Sequence, residues 1–442
     1  MRDQDGAPPS LIAPMSGVLV TKGFWAVTDQ GLFAVSNFFL SVTLARWLAP
    51  QDYGAFAVAF SIFLLLGSFH TALLSEPMLV FGHGRYRERH EQYLGVLLSG
   101  HWGLVLLGSL ILGGSGAVLW RFGSAALASA LLGFAVAGPF ILLLWFLRRA
   151  CYVRFEPQLA ASAGLVYFAL MAAGLGALYH QGWLSMFPAL SVMGLTSLVA
   201  SAWLALRLGV SAASPITGTE LNREALRDHW GYGRWSVATM PLLWISGDLF
   251  YLLLALWWGL EASAGLKALA NLILPIQHVS SALSVLLVPM LVRARGTGEF
   301  GRLAHLSTML LGGGALAYWG LLVLLHRPAM GALYGGRYAG YVDVLWILGL
   351  VVLGSAVVAG LGGALRALER PDEVFRAYAV ASIAALTVGL WCTVTWGTVG
   401  AAAGLALCSA TKAAAMWTYY RRSGGSHAPH AAPDLAGAMR VL

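Results

Sequence analysis

The sequence predicts an all-α, polytopic membrane protein, with about twelve transmembrane helices in two six-helix lobes related by a pseudo-two-fold axis along the membrane normal. Three observations carry that expectation. Apolar residues make up 59% of the 442 positions and charged residues only 10%, whereas a soluble domain carries roughly a quarter charged residues. Twelve apolar runs reach the ~20 residues a helix needs to cross a bilayer. The second half of the chain also repeats landmarks of the first. So little charge cannot coat a soluble globule, which excludes a soluble enzyme and a disordered scaffold. The net charge of +8 then reads as an insertion signal, and no nucleic-acid partner is expected.

In order, the runs are Phe24–Trp47, Phe56–Phe81, Tyr93–Trp120, Leu127–Leu147, Leu159–Tyr179 and Trp183–Leu206, then Trp235–Trp258, Ala264–Leu291, Leu306–Leu325, Val342–Leu365, Tyr378–Trp396 and Val399–Tyr419. A continuous helix satisfies its own backbone N–H and C=O groups, which hydrocarbon cannot do for it. None of the runs alternates as a barrel strand would. The first is too long for a signal peptide and has no small-residue cleavage signature behind it. The third and eighth are long enough to tilt or kink. With the N-terminus inside, 21 of the 27 Lys and Arg residues fall on inner segments, and only Arg46, Arg121, Lys267, Arg327 and Arg337 on outer ones, with Lys412 inside the last run. That asymmetry predicts cytoplasmic termini, and tryptophans at run ends such as Trp47, Trp120, Trp183 and Trp258 fit interfacial belts. The outer loops are short, without the larger catalytic loop expected of a membrane polymerase or glycosyltransferase. Cys151, Cys392 and Cys408 form no CxxC pair, so neither a disulfide framework nor a metal site is expected, and no cofactor is implied.

The repeat is visible at three places. Pro77-Met78-Leu79-Val80 closes the second run and Pro289-Met290-Leu291-Val292 the eighth, 212 residues apart. Leu44-Ala45 with Trp47 and Gly54 is echoed by Leu254-Ala255 with Trp257 and Gly265 at lags of 210 to 211. The fourth and tenth runs each end in an arginine cluster stopped by proline, at Pro157 and Pro371, a lag of 214. Six spans per half return the chain to the same side, so the repeats are parallel and a site is expected between them. The organisation read from this is an N-terminal tail over 1–22, an N-lobe over 23–210, an inter-lobe linker over 211–230, a C-lobe over 231–422 and a tail over 423–442. The linker holds Pro215 and Gly218 and then an amphipathic helix through Leu221, Leu226 and Trp230, with Thr217 and Glu220 spaced as a capping box. Both tails and the linker are expected to be cytoplasmic.

Several of these segments resemble bacterial polysaccharide flippases. The segment Gly31-Leu32-Phe33 through Asn37 to Leu44-Ala45-Arg46-Trp47-Leu48-Ala49-Pro50 and Tyr53-Gly54 is similar to the opening of the O-antigen and exopolysaccharide transporters of the multidrug/oligosaccharidyl-lipid/polysaccharide exporter superfamily. Leu333-Tyr334-Gly335-Gly336-Arg337-Tyr338 and Gly400-Ala401-Ala402-Ala403-Gly404 also resemble that family, and the likeness in span count and loop lengths runs from about Lys22 to Tyr420. The resemblance implies a protein of the bacterial inner membrane that moves a polyprenyl-diphosphate-linked oligosaccharide to the outer leaflet by alternating access, without covalent chemistry. Its partners would be that lipid and a glycan polymerase with its chain-length machinery. The alternatives are a multidrug or cation exporter of the same superfamily, which shares an acidic residue in the first span, and a non-transporting subunit of a glycan assembly complex.

Ionisable groups inside spans are costly, so they mark function. Asp29 lies about 27 Å from the outer end of its run at ~1.5 Å per residue, close to the inner face. Glu76, before the helix-kinking Pro77, lies in the inner third. The two read either as packing carboxylates or as an inner-gate pair that binds a cation. Asp248 falls near mid-bilayer as a candidate for ion coupling, and His278, beside Gln277 in the middle of the eighth run, reads either as a hydrogen-bonded core histidine or as a proton relay. His70 and His101 read as structural. Arg46 and Lys267 mark outer helix ends, as interfacial anchors or as receivers of a diphosphate. Asn37 and Gln277 complete the cavity candidates, with walls expected from the first, second, seventh and eighth runs. Gly312-Gly313-Gly314 and Gly360-Leu361-Gly362-Gly363 read as close helix packing.

Overall fold

The computed structural model describes residues 12–209, 219–295 and 297–422. The two tails (1–11 and 423–442) and the linker residues Pro215, Thr217 and Gly218, hence the capping box, lie outside the described residues. Among those described there is no strand. The first half comprises α1 (Ile12–Trp47), α2 (Pro50–His70), a π-helical turn (Thr71–Ser75), α3 (Glu76–Phe81), α4 (His90–Phe122), α5 (Ala125–Val153), α6 (Pro157–His180) and α7 (Met186–Arg207). The second comprises α8 (Thr219–Ile245), α9 (Leu249–Trp257), α10 (Leu260–Ala294), α11 (Phe300–Tyr334), α12 (Val344–Ala367), α13 (Pro371–Ala384), a π-helical turn (Ala385–Gly389) and α14 (Leu390–Arg422). Among the described residues, eight stretches are long and apolar enough to cross a membrane, nine with the bent pair α8–α9. The chain is therefore an all-α, multi-pass membrane protein.

The apolar runs all fall in helices, and local chemistry sets where those helices start and break. α2, α6 and α13 begin at Pro50, Pro157 and Pro371, where proline's missing N–H is one that would be unsatisfied anyway. Pro77 is the expected kink. It withholds the N–H that would bond Leu73, and the helix widens into the π turn Thr71–Ser75 just before it, a usual response to a broken ladder. One boundary differs from the sequence reading. The seventh run is not one helix: it bends by 42° between α8 and α9. Ser246, Gly247 and Asp248 are poor helix formers, and the Ser246 hydroxyl turns back to the Leu243 carbonyl at 3.2 Å. The eleventh and twelfth runs are separate helices, as expected: the chain turns back at Gly397, which takes φ 59° and ψ −131°, so that a Cβ on Gly404 would lie 3.2 Å from Gly389 Cα.

The chain divides into two compact units. Unit 1 runs to Pro241 and includes Gly259–Ala264; unit 2 holds Leu242–Trp258 and the chain from Gly265 onward. In unit 1, α5 is the central helix, packed by α2, α4 and α7, while α1 lies on α6. A row of rings, Phe56, Phe60, Phe63 and Phe134, stacks at centroid spacings of 5.0–6.3 Å. In unit 2, α12 lies against α11 and α14, and α14 also packs on α9 and α13. Gly360 is where α12 meets α11: a Cβ there would come 2.9 Å from Thr308 Cα, so only glycine lets the backbones approach. Gly312, Gly313 and Gly314 do not share that role. A Cβ on any of them meets nothing within 4 Å, against the expectation of close packing there.

The repeat at a lag of 214 has a backbone counterpart. The two described non-glycine residues with positive φ are Phe155 (φ 56°) and Glu369 (φ 60°), and they stand 214 apart. Each is followed by one residue and then by the proline that opens the next helix. Each helix end closes with the same wrap-around hydrogen bond, Glu156 N–H to Cys151 O and Arg370 N–H to Leu365 O, both 2.9 Å. This is the left-handed helix cap that glycine ordinarily occupies, made here twice without glycine.

Candidate functional site

Two charged clusters lie within the apolar helices, one in each unit, and they differ in kind. In unit 1, Asp29 is fully buried. Arg148 holds one carboxylate oxygen through Nη2 at 2.7 Å and Nε at 3.0 Å, and Tyr152 donates to the other at 2.8 Å. Gln30 adds a longer contact of 3.3 Å. Arg148 and Tyr152 are four apart on α5 and so project from one face. Phe33, four residues after Asp29 on α1, places its ring 4.7 Å from the guanidinium. Both carboxylate oxygens are taken, and two nitrogens of the Arg148 guanidinium converge on one of them, which the single nitrogen of a lysine could not do. The adjoining cleft, lined by Asn37, Ser36, Tyr167 and Ser197, holds about 10 Å³, room for about one water.

In unit 2 the helix break presents Asp248 at the start of α9. Its charged neighbours are Lys267 on α10 and Lys412 on α14. Lys267 also lies 5.4 Å above the Tyr251 ring, and Lys412 lies 5.2 Å above the Tyr378 ring. Beside Lys412 opens a cavity of about 470 Å³, lined by Gln277, Ser280 and Ser284 of α10, Ser355 and Arg366 of α12, Tyr378 of α13, and Lys412 and Met416 of α14. Its two charged lining residues are both cations. The rest of its polar lining is an amide, three serine hydroxyls and a phenol; the Ser284 hydroxyl donates to the Ser280 carbonyl at 2.8 Å, and the others can donate hydrogen bonds into the cavity. Such a lining suits an anion with several acceptor oxygens.

The sequence candidates sort as follows. Gln277 and Asn37 line the two cavities. Lys267 is not an interfacial anchor: it is half-buried with Asp248 and Tyr251, because the break before α9 brings the carboxylate to it. Asp29 does not pair with Glu76. Its oxygens go to Arg148 and Tyr152, while half-buried Glu76 acts on Tyr232. His278 is exposed and is no part of the cavity that its neighbour Gln277 lines, since successive helix positions point about 100° apart. Arg46 is exposed in the last turn of α1. Of the runs expected to wall a cavity, only the eighth contributes to the one in unit 2; the tenth, eleventh and twelfth supply the rest. Three residues of these clusters are not among the sequence candidates. Arg148 and Arg366 belong to the 21 basic residues of the inner segments, which the insertion rule already explains. Lys412 stands alone inside the last run. The signal for Arg148 is its position at the inner end of the fourth run, level with Asp29 at the inner end of the first. His70 and His101 are a buried hydrogen-bonded pair, 2.8 Å apart, in keeping with a structural role. Among the described residues no group of three or more His, Cys, Asp or Glu could hold a metal ion.

No protein-family model matches the chain, and no curated protein does. Solved structures do. A multidrug resistance MATE family transporter of the MOP superfamily, in its inward-facing conformation, superposes with a TM-score of 0.70 at 11% identity, over 90% of this chain and 98% of that one. The lipid II flippase MurJ, inward closed, gives 0.70 at 12% identity over 91% and 87%. A MOP superfamily transporter from Pyrococcus furiosus, for which reverse polarity of the binding pocket suggests a different function, gives 0.62 at 12% over 93% and 96%. The chain thus has the fold of MOP superfamily transporters.

Proposed function

We propose that this protein is a flippase for lipid-linked oligosaccharides, taking the diphosphate of a polyprenyl carrier into the cavity of unit 2. The observation that carries the proposal is the charge of that cavity: Lys412 and Arg366 line it and no carboxylate does. A cationic drug would meet two like charges there, and the buried Asp29 carboxylate of unit 1 is already neutralised by Arg148. Lys412 is held by aromatic contact with Tyr378 rather than by a short ion pair, so its ammonium is available to phosphate oxygens. The arginine count puts Arg366, near the C-terminal end of α12, on the cytoplasmic side, where a substrate made in the cytoplasm would arrive. In this reading the two units are lobes that alternate in access, and no bond is made or broken. The likeness to a lipid II flippase supports the substrate class through the fold alone.

The test is reconstitution in vesicles with a fluorescent polyprenyl-diphosphate glycolipid in the inner leaflet. Appearance of probe in the outer leaflet, lost in Lys412→Gln at unchanged protein abundance, is the expected result. Removing one charged hydrogen-bond donor should weaken diphosphate binding by about 10- to 100-fold. Movement of cationic dyes without movement of the glycolipid would replace this reading with multidrug export.

A further inference from the structure

α8 leaves one of its faces uncovered, and the opposite face explains why. Leu221, Ala225, His229 and Gly233, at every fourth position, are buried against other parts of unit 1. The carbonyl of Leu73, left without its helical partner by Pro77, accepts from His229 Nδ1 at 2.7 Å. Tyr93 meets the other ring nitrogen at 2.6 Å. Arg85 pairs with Glu224 at 3.1 Å and with Asp228 at 2.9 Å, and Tyr86 donates to Asp228 at 2.7 Å. Burial, and then the Asp228 carboxylate, push the Tyr86 phenol above its ordinary range, so it remains a donor at any physiological pH. Two of the three acids of α8 are therefore turned inward and spent on unit 1.

The outward face keeps the cations. Leu226 and Trp230 are 72% and 56% exposed, and Arg223, Arg227 and Arg234 are exposed beside them. These five side chains fall within an arc of about 100°. Arg223 and Arg227 make no ion pair among the described residues, and Arg234 rests its guanidinium 5.7 Å from the Trp235 ring. Glu220, in the first turn, is the one acid left outside.

The level of this patch follows from its anchor. The stretch Pro50–Phe81 has 32 residues, about 48 Å of helix at ~1.5 Å each, against a hydrocarbon core of about 30 Å. Counted from Pro50, roughly 20 residues cross the core, which ends the crossing near Phe69 and places Leu73 about one turn beyond it. His229 bonds Leu73, and a Cβ on Gly233 would lie 2.7 Å from the Ala72 carbonyl. The α8 segment from Arg223 to Arg234 thus passes through the headgroup layer, with apolar and cationic side chains side by side.

We propose that the outward face of α8, Leu226 and Trp230 with Arg223, Arg227 and Arg234, is a docking surface for acidic phospholipid headgroups. The aliphatic and indole groups insert beside the acyl boundary and the guanidinium groups take the phosphates, as interfacial basic helices do. Because α8 continues past Pro241 into unit 2, lipid held there acts on a helix that contributes to both units.

The three native cysteines are buried, and a Cβ at Gly231 meets nothing within 4 Å, so Gly231→Cys offers a selective labelling position beside the patch. An environment-sensitive fluorophore there, on the full-length protein in neutral detergent micelles, is titrated with phosphatidylglycerol and, separately, with phosphatidylcholine. The expected result is a blue shift that saturates with the acidic lipid and not with the neutral one. At roughly 1 kcal/mol per basic residue near an acidic surface, Arg223→Gln, Arg227→Gln and Arg234→Gln together should raise the half-saturating lipid concentration by about 100-fold. Arg421→Gln with Arg422→Gln, at the end of α14, should leave it unchanged and confirms that the patch is the cause. Equal responses to both lipids, an unaltered response in the triple variant, or protection of the fluorophore by soluble cell proteins but not by lipid would each overturn the proposal. The readout needs no transport, so it stands or falls apart from the flippase reading.

Discussion

In unit 1 a carboxylate and a guanidinium consume one another, with a tyrosine on the remaining oxygen and room for about one water nearby. In unit 2 a single carboxylate faces two ammonium groups, and one of those lines a cavity of about 470 Å³. Both clusters lie inside membrane-spanning helices, where an isolated charge is expensive, yet they settle that cost differently. The first is closed by saturation: every strong acceptor has its donor, so nothing remains to recognise a ligand. The second carries an excess positive charge beside open space, which is the condition for binding an anion. A buried charge therefore marks function only when its neighbours leave it something to do.

The largest effect should come from breaking the closed cluster. Arg148→Met strands a fully buried carboxylate, and removing one partner of such a pair costs about 3–5 kcal/mol. Purified protein should show a large fall in thermal stability, and cells should hold little of it. Asp29→Asn combined with Arg148→Met removes both charges and should recover most of the loss. A single variant that is stable but inactive would instead make Asp29–Arg148 a working site. Lys412→Met, in the open cluster, should do the reverse: stability should be nearly unchanged, with diphosphate affinity about 10- to 100-fold lower in a titration with inorganic pyrophosphate.

Asp248 sharpens the contrast. Its charge offsets Lys267 and Lys412, so Asp248→Asn should leave those lysines more attractive to anions and tighten pyrophosphate binding by roughly threefold or more. An Asp248 that served as the seat of a transported cation would behave otherwise: its Asn variant would lose transport with no gain in anion affinity. Pyrophosphate titration and glycolipid movement, measured on the same preparation, separate these outcomes.

The membrane helices were legible because hydrocarbon imposes one requirement everywhere, and about 20 apolar residues in a row answer it. The breaks were partly legible. Pro77 announced its own, whereas Ser246-Gly247-Asp248 lay inside a run apolar enough to conceal it. The site was less legible still, because pairing is a tertiary fact. Asp29 drew attention as a lone acid in the first run, but its partner lies 119 residues away among arginines that the insertion rule already explained. Lys412 stood alone in its run, and only the packing of α10, α12, α13 and α14 shows that it faces a space. Lys267 was assigned from its place in the run, since the bend that brings it to Asp248 leaves no mark on hydropathy.

The smallest expected effect concerns a feature the two units share. Phe155 and Glu369 occupy the same left-handed cap, where a side chain costs about 1–2 kcal/mol relative to glycine, less the greater freedom glycine has in the unfolded chain. At Glu369 the compensation is a pair with Arg295 at 2.7 Å, on a carboxylate that is 77% exposed, and such pairs contribute little. Glu369→Gly should therefore raise stability by up to about 1 kcal/mol. At Phe155 the ring stands 4.4 Å from that of His83 and lies under Lys22 at 5.5 Å, contacts that glycine would forfeit, so Phe155→Gly should gain nothing or lose slightly. Thermal unfolding of both variants in one detergent reads the difference directly. A gain of equal size at both positions would mean that the ring contacts of unit 1 are idle, and a loss at Glu369 would mean that its surface pair outweighs the strained backbone.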